Sequence, residues 1–182
     1  MLKTNLRIPE ISNDSILRTE ILMDNSRLQE IYDLRVLAWE NSHLSQQVNC
    51  NLFPDGWKDK LDDSALHWVI KCDELVIASS RINMIEPALP GISPQACFSR
   101  LIVHPDFRRI GVARMMDRIR IEYVKTNSIK HSFAYVDETR LYTLMNYGFK
   151  YAGKEIHRHS NEAANDMIYK LTLDLNDITE AI

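Results

Sequence analysis

The sequence predicts a mixed α/β layer structure in which a long helix covers a sheet. Three observations carry that expectation. Short runs of strand character recur along the chain, at 66–70, 75–78, 96–103 and 131–136 among others. Segments near 24–42, 111–125 and 138–147 instead repeat their apolar residues at helical spacing. The 182 residues, 45% hydrophobic and 26% charged, have the size and composition of one domain with a real core.

Taken in order, residues 1–15 hold turn formers without a clear period and read as an extension before a domain at 16–174. Residues 16–23 have strand character. Asp24-Asn25-Ser26 then supply N-cap side chains for a helix to about Ser42, with Leu28, Ile31, Leu34 and Ala38 on its apolar stripe. Residues 46–64 are loop-rich and contain Pro54-Asp55-Gly56 and the acidic pair Asp62-Asp63. The runs 66–70 and 75–78 form a hairpin across a short polar turn, the second continuing to about Ile85. Prolines and a glycine make 86–95 a loop, and 96–103 is a strand ended by His104-Pro105-Asp106.

From Gly111 the period turns helical, with Val112, Met115, Met116, Ile119 and Tyr123 on the apolar stripe and Arg114, Asp117, Arg118 and Lys125 off it. A strand at 131–136 precedes a short helix at 138–147, whose buried face is Leu141, Leu144 and Met145 and whose left-handed stop is Gly148. Strands at 149–156 and 167–173, joined by a polar linker, finish the domain before a tail at 175–182.

Composition excludes several classes. Lys and Arg total 22 against 25 Asp and Glu, a net charge of −3 that argues against a nucleic-acid binder. No apolar run approaches the roughly 20 residues that span a bilayer, and the start lacks a signal-peptide core, so a cytoplasmic location and no membrane partner are expected. Cys50, Cys72 and Cys97 are widely spaced and odd in number, which suits reduced thiols. The six histidines show no ligand spacing, and no metal is expected.

The chemistry concentrates in Leu101-Ile102-Val103-His104-Pro105-Asp106-Phe107-Arg108-Arg109-Ile110-Gly111-Val112-Ala113. Strand, basic turn and helix start follow one another here. A helix N-terminus presents unpaired N–H groups and the positive end of its dipole, which attract phosphate. Gly111 lets the backbone approach such a ligand closely. No Gly-Lys-Ser/Thr follows and no G-x-G-x-x-G occurs, so this is neither a P-loop nor a dinucleotide fingerprint.

Arg108-x-x-Gly111-x-Ala113, after the strand L-I-V-H-P, resembles the coenzyme A pyrophosphate motif of the GNAT acetyltransferases. Leu141 to Phe149, a short helix closing in Gly-Phe before a strand, is similar to that family's second signature. The resemblance implies a mixed, mostly antiparallel sheet of about six to seven strands, about four flanking helices and a splayed central strand pair. It implies an N-acetyltransferase in which an amine attacks acetyl-CoA directly in a ternary complex. Pantetheine would follow the backbone of Leu101, Ile102 and Val103. The pyrophosphate would take Arg108, Arg109, Ile110, Gly111, Val112, Ala113 and Arg114, and the N–H near Val103 would serve as oxyanion donor.

The family's usual acid, a Tyr four residues before the Gly of Gly-Phe, falls on Leu144, and its frequent Asn falls on Asp137. Tyr142 is the substitute acid, although two helical steps turn it by about 200° from Leu144. His67, His104 and Glu138 are candidate bases. Phe53, Trp57 and Asp62-Asp63 are candidates for the acceptor site, where acidic side chains would favour a cationic small-molecule or peptide amine. A homodimer is the assembly to test for, as the commonest one.

Two other functions fit parts of the chain. Leu34-Arg35, 62–67 and 78–82 resemble GNAT-like synthases that take acyl groups from longer acyl-CoA or carrier proteins, for which Arg114, Arg118 and Arg120 would be a docking patch. Leu144 in the acid position suits a non-catalytic acetyl-CoA-binding module.

Overall fold

The computed structural model describes residues 17–22, 27–41, 58, 60–87, 92–158 and 165–175. The expected extension at 1–15, all but the first residue of the tail, Cys50, Phe53 and Trp57 lie outside them. The elements run β1 (Leu17–Leu22), α1 (Leu28–Glu40), β2 (Leu66–Cys72), β3 (Leu75–Ile85), β4 (Gln95–Val103), α2 (Val112–Thr126), β5 (His131–Val136), α3 (Glu138–Met145), β6 (Lys150–Arg158) and β7 (Asn165–Asp174). They build one seven-stranded sheet in the order β1-β2-β3-β4-β5-β7-β6. Every neighbouring pair is antiparallel except β4–β5. Three α-helices are present among the described residues, against the expected four or so.

Strands β2 and β3 are buried along nearly their whole length, without the alternation of a half-exposed strand. Both faces are covered, so WVI and LVIA read as unbroken apolar runs, and the polar Ser79, Ser80, Arg81 and Asn83 that follow are buried too. On one face Leu28, Ile31, Tyr32 and Leu34 of α1 pack with Val69 and Val76. On the other, Val112, Met116, Ile121 and Val124 of α2 and Leu144 of α3 pack with Trp68, Ile70, Ile82 and Phe98. The Trp68 and Tyr123 rings meet edge-on at 5.0 Å and fix α2 over the middle of the sheet.

The buried face of α2 differs from the expected stripe. Met115 is 36% exposed, whereas Asp117 and Arg120 are fully buried. Two charged residues can occupy an inward face because they bond one another three residues apart, Arg120 Nη2 to Asp117 Oδ1 at 2.7 Å. No helix among the described residues is long and apolar enough to cross a membrane.

Candidate functional site

The parallel ladder between β4 and β5 contains only four pairs, from Gln95–His131 to Phe98–Ala134. Strand β4 continues to Val103 and β5 to Val136 without further pairing between them. A bulge accompanies the divergence: the register against β3 shifts between Ser79 and Arg81, and Arg100 opposite takes a left-handed φ of 50°. The opening is a cleft of about 650 Å3, with Leu101, Ile102 and Val103 on one wall, Tyr135 and Val136 on the other and Leu144 at the α3 side. This is the splayed pair that the resemblance implies.

Backbone directions at the mouth follow from the ladder. His104 N–H donates to the Ile77 carbonyl at 2.8 Å, which makes Ala78–Val103 a non-hydrogen-bonded pair. The peptide groups of Val103 therefore point away from β3. Its carbonyl accepts from Arg108 Nε at 3.2 Å. The same guanidinium donates to the Ala38 and Asn41 carbonyls at 3.0 and 3.4 Å, tying the C-terminal end of α1 to the end of β4. In the described structure Arg108 lines the cleft and braces it.

Beyond a short 3-10 turn at Pro105–Phe107, Arg109 (φ 65°) and Gly111 (φ 97°) turn the chain left-handed into α2. Gly111 is the N-cap and no side chain caps the helix, so the first-turn N–H groups lack a side-chain acceptor. A Cβ at Gly111 would meet Arg114 Nη2 at 3.8 Å, so its need for glycine is conformational. Arg109, Ile110 and Arg114 are exposed around this turn, Ala113 is half-buried and the Val112 side chain is in the core.

On α3, Asp137 caps the helix by accepting from Arg140 N–H at 3.1 Å. Leu144 is 2% exposed and lines the cleft, while Tyr142 is 68% exposed and is not among the lining residues. The helical phase anticipated that opposition. Gly148 takes φ 92°, the left-handed stop read from the sequence. The three candidate bases are elsewhere. His67 is buried with Nε2 2.9 Å from the Asp62 carbonyl, His104 Nδ1 accepts from Asp106 N–H, and Glu138 is exposed.

Two charged clusters flank β4. On the α1 side, Asp62 has no exposed surface and binds Arg35 through both oxygens at 2.7 and 2.9 Å and Arg81 Nη1 at 2.7 Å. Asp63, its sequence neighbour, is exposed and within 3.9 Å of Lys58. Asp62 is therefore committed to arginine rather than open to an amine. On the other side, the buried Asp117 binds Arg120 and Arg140. Sequence reasoning missed both clusters. The sequence puts Arg120 with Arg114 and Arg118 in a docking patch, yet it sits two helical positions from Arg118 and is 3% exposed. That phase difference was the available signal.

No protein-family model matches the chain, and no curated protein matches it in sequence. Solved structures do match. A GNAT family acetyltransferase from Elizabethkingia anophelis, with acetyl-CoA bound, superposes with a TM-score of 0.59 at 16% identity, over 87% of this chain and 98% of that one. This chain has the GNAT acetyltransferase fold. The ribosomal-protein-S18-alanine N-acetyltransferase of Escherichia coli shares the GNAT architecture with a TM-score of 0.64 at 12% identity, covering 88% and 94% of the two chains. A Bacillus subtilis acetyltransferase in complex with CoA gives 0.58 at 16%, covering 88% and 99%. At such identities the likeness is one of GNAT fold.

Proposed function

We propose that the chain is an acyl-CoA-dependent N-acyltransferase, with acetyl-CoA as its simplest donor. One observation carries this reading: the β4–β5 ladder stops at Phe98–Ala134, and the open edge of β4 leads to the left-handed turn at Arg109 and Gly111. An unpaired strand edge accepts an extended amide-bearing arm as it would another strand, and the turn delivers first-turn N–H groups suited to phosphate. Coenzyme A has both parts, and when bound it would supply the acyl thioester and a thiol leaving group.

The chain's own groups then divide the work. The N–H of Val103, directed away from β3, is the proposed donor to the developing oxyanion. The acceptor amine, with a free pKa of about 10.4 when of Lys type, reaches the site after loss of a proton. A thiol of ordinary pKa near 8.5 can depart as thiolate. With Leu144 where a phenol would donate, the arginines of the cleft wall are the groups that would favour that charge. Tyr142 acts only if α3 rearranges.

Gly111→Glu tests the site. Its carboxylate would stand where phosphate is proposed to bind, so acetyl-CoA affinity should fall far below that of Gly111→Ala, which carries the same left-handed strain without the charge. Unchanged affinity in a folded variant would remove the turn from the reading.

A second reading has its own support. The residues that resemble carrier-dependent acyl synthases, Arg35, Asp62 and Arg81, converge in one buried cluster beside the cleft. Arg114 and Arg118 are exposed and available for docking, whereas Arg120 is not. Transfer from an acyl carrier protein but not from short acyl-CoA would favour this alternative.

A further inference from the structure

Two guanidiniums share the single carboxylate of Asp117: Arg120 binds Oδ1 at 2.7 Å and Arg140 binds Oδ2. This part of the cleft wall therefore carries one positive charge more than Asp117 balances. Arg120 is 3% exposed, its guanidinium lies 4.8 Å from the Phe98 ring centre, and its Nε has no hydrogen-bond partner. Its Nη1 reaches the Ser99 carbonyl only at 3.5 Å, the outer limit of a hydrogen bond. Burial depresses the pKa of Arg120 below the usual arginine value, with Asp117 opposing that and Arg140 adding to it.

The other charged groups of the cleft have different engagements. Arg35 is bound to Asp62, Arg108 to backbone carbonyls, Arg100 sits at the bulge, and the Asp137 carboxylate caps α3. A charge held out of water is costly unless an opposite charge meets it. Asp117 balances one of the two guanidiniums it holds, and an anion inside the cleft beside Arg120 would balance the other.

Position selects the anion. This step rests on the coenzyme A reading above, in which phosphate binds at the start of α2 and pantetheine follows Leu101 to Val103. The acyl end then points back along β4, toward the closed end formed by Phe98, Ala134, Leu144 and Arg120. Arg120 Nη1 reaches Ser99, and Ser99 to Val103, whose N–H is the proposed oxyanion donor, is four residues, at most about 13 Å at roughly 3.3 Å per residue. A two-carbon acyl group does not fill that length.

We propose that Arg120, held by Asp117 and set against Arg140, recognises a carboxylate at the far end of the acyl group. The preferred donor is then the coenzyme A thioester of a short dicarboxylic acid. The transfer keeps its balance: the amine nitrogen adds to the thioester carbon, the C–S bond breaks as the carbonyl re-forms, the sulfur leaves with the electron pair, and the amine proton passes to solvent. The distal carboxylate stays ionised throughout.

Calorimetric titration with succinyl-CoA and butyryl-CoA tests this, because the two differ by a terminal carboxylate on acyl chains of equal carbon number. Wild-type protein should bind succinyl-CoA about tenfold more tightly, the effect of one charge-assisted contact. Arg120→Met should bring the ratio of dissociation constants toward one. Arg140→Gln, at a side chain 24% exposed, leaves Arg120 and Asp117 as a balanced pair and should lower the ratio too. If Arg120→Met does not fold, the wild-type ratio and Arg140→Gln decide. Equal or tighter butyryl-CoA binding in the wild type overturns the proposal while leaving the coenzyme A site standing. Failure of every thioester, acetyl-CoA included, overturns both.

Discussion

On either side of β4 a fully buried aspartate binds two arginines, yet the two clusters are built to different ends. Asp62 draws its partners from α1 and β3, 27 and 19 residues away. Its cluster continues from Arg81 Nε to Ser99 Oγ at 3.0 Å, from Ser99 to Asn83 at 3.3 Å, and from Asn83 to the Leu61 carbonyl at 3.0 Å. That circuit joins α1, the segment before β2, and strands β3 and β4 into one brace. Asp117 instead takes its first partner from its own helix and its second from the edge of α3. Its cluster ends at the cleft wall, where both of its arginines line the opening. The same two-to-one composition holds the fold together in one place and leaves charge available to a ligand in the other.

Breaking each cluster at its aspartate separates the roles most strongly. Asp62→Ala strands two buried guanidiniums, and urea denaturation should report a loss of about 3–5 kcal/mol. Asp117→Ala strands one buried guanidinium, Arg120, and should cost less, about 3 kcal/mol, because Arg140 is already partly in water. A larger loss at Asp117 than at Asp62 would reverse the comparison.

The brace also predicts a pH dependence. Burial is the main cause that holds the pKa of His67 below the ordinary histidine value, reinforced by Arg35 and Arg81 and opposed by Asp62. As pH falls through about 6.5 the unfolded chain takes up the proton first, so stability present above that pH declines below it. His67→Gln should remove up to about 1.4 kcal/mol per pH unit from the slope of unfolding free energy in that range. A slope identical to the wild type would mean that folding leaves the proton affinity of His67 unchanged. Arg108→Ala, smallest of the four, should cost about 1 kcal/mol or less, since its bonds to Val103, Ala38 and Asn41 are partly in water. Thermal denaturation checks it.

Most of the fold was legible because its signals are local. Strand runs, the short polar turn between β2 and β3 and the stop at Gly148 each act within a few residues, and the structure uses each as expected. So was the opposition of Leu144 and Tyr142, which needs only the helical turn. What the sequence concealed depends on distant partners. Asp62 reads as half of an acidic surface pair until Arg35 and Arg81 are brought to it. Asp117 and Arg120 read as polar positions until Arg140, from the next helix, completes their bonding. Apolar periodicity cannot report a buried face whose charges are paired across elements.

The open edge of β4 is the centre of this account, and one titration addresses it directly. Calorimetry with acetyl-CoA should show saturable binding that adenosine nucleotides lacking the pantetheine arm do not match. Equal binding of those nucleotides, or none of acetyl-CoA, would contradict a slot built to take that arm as an added strand.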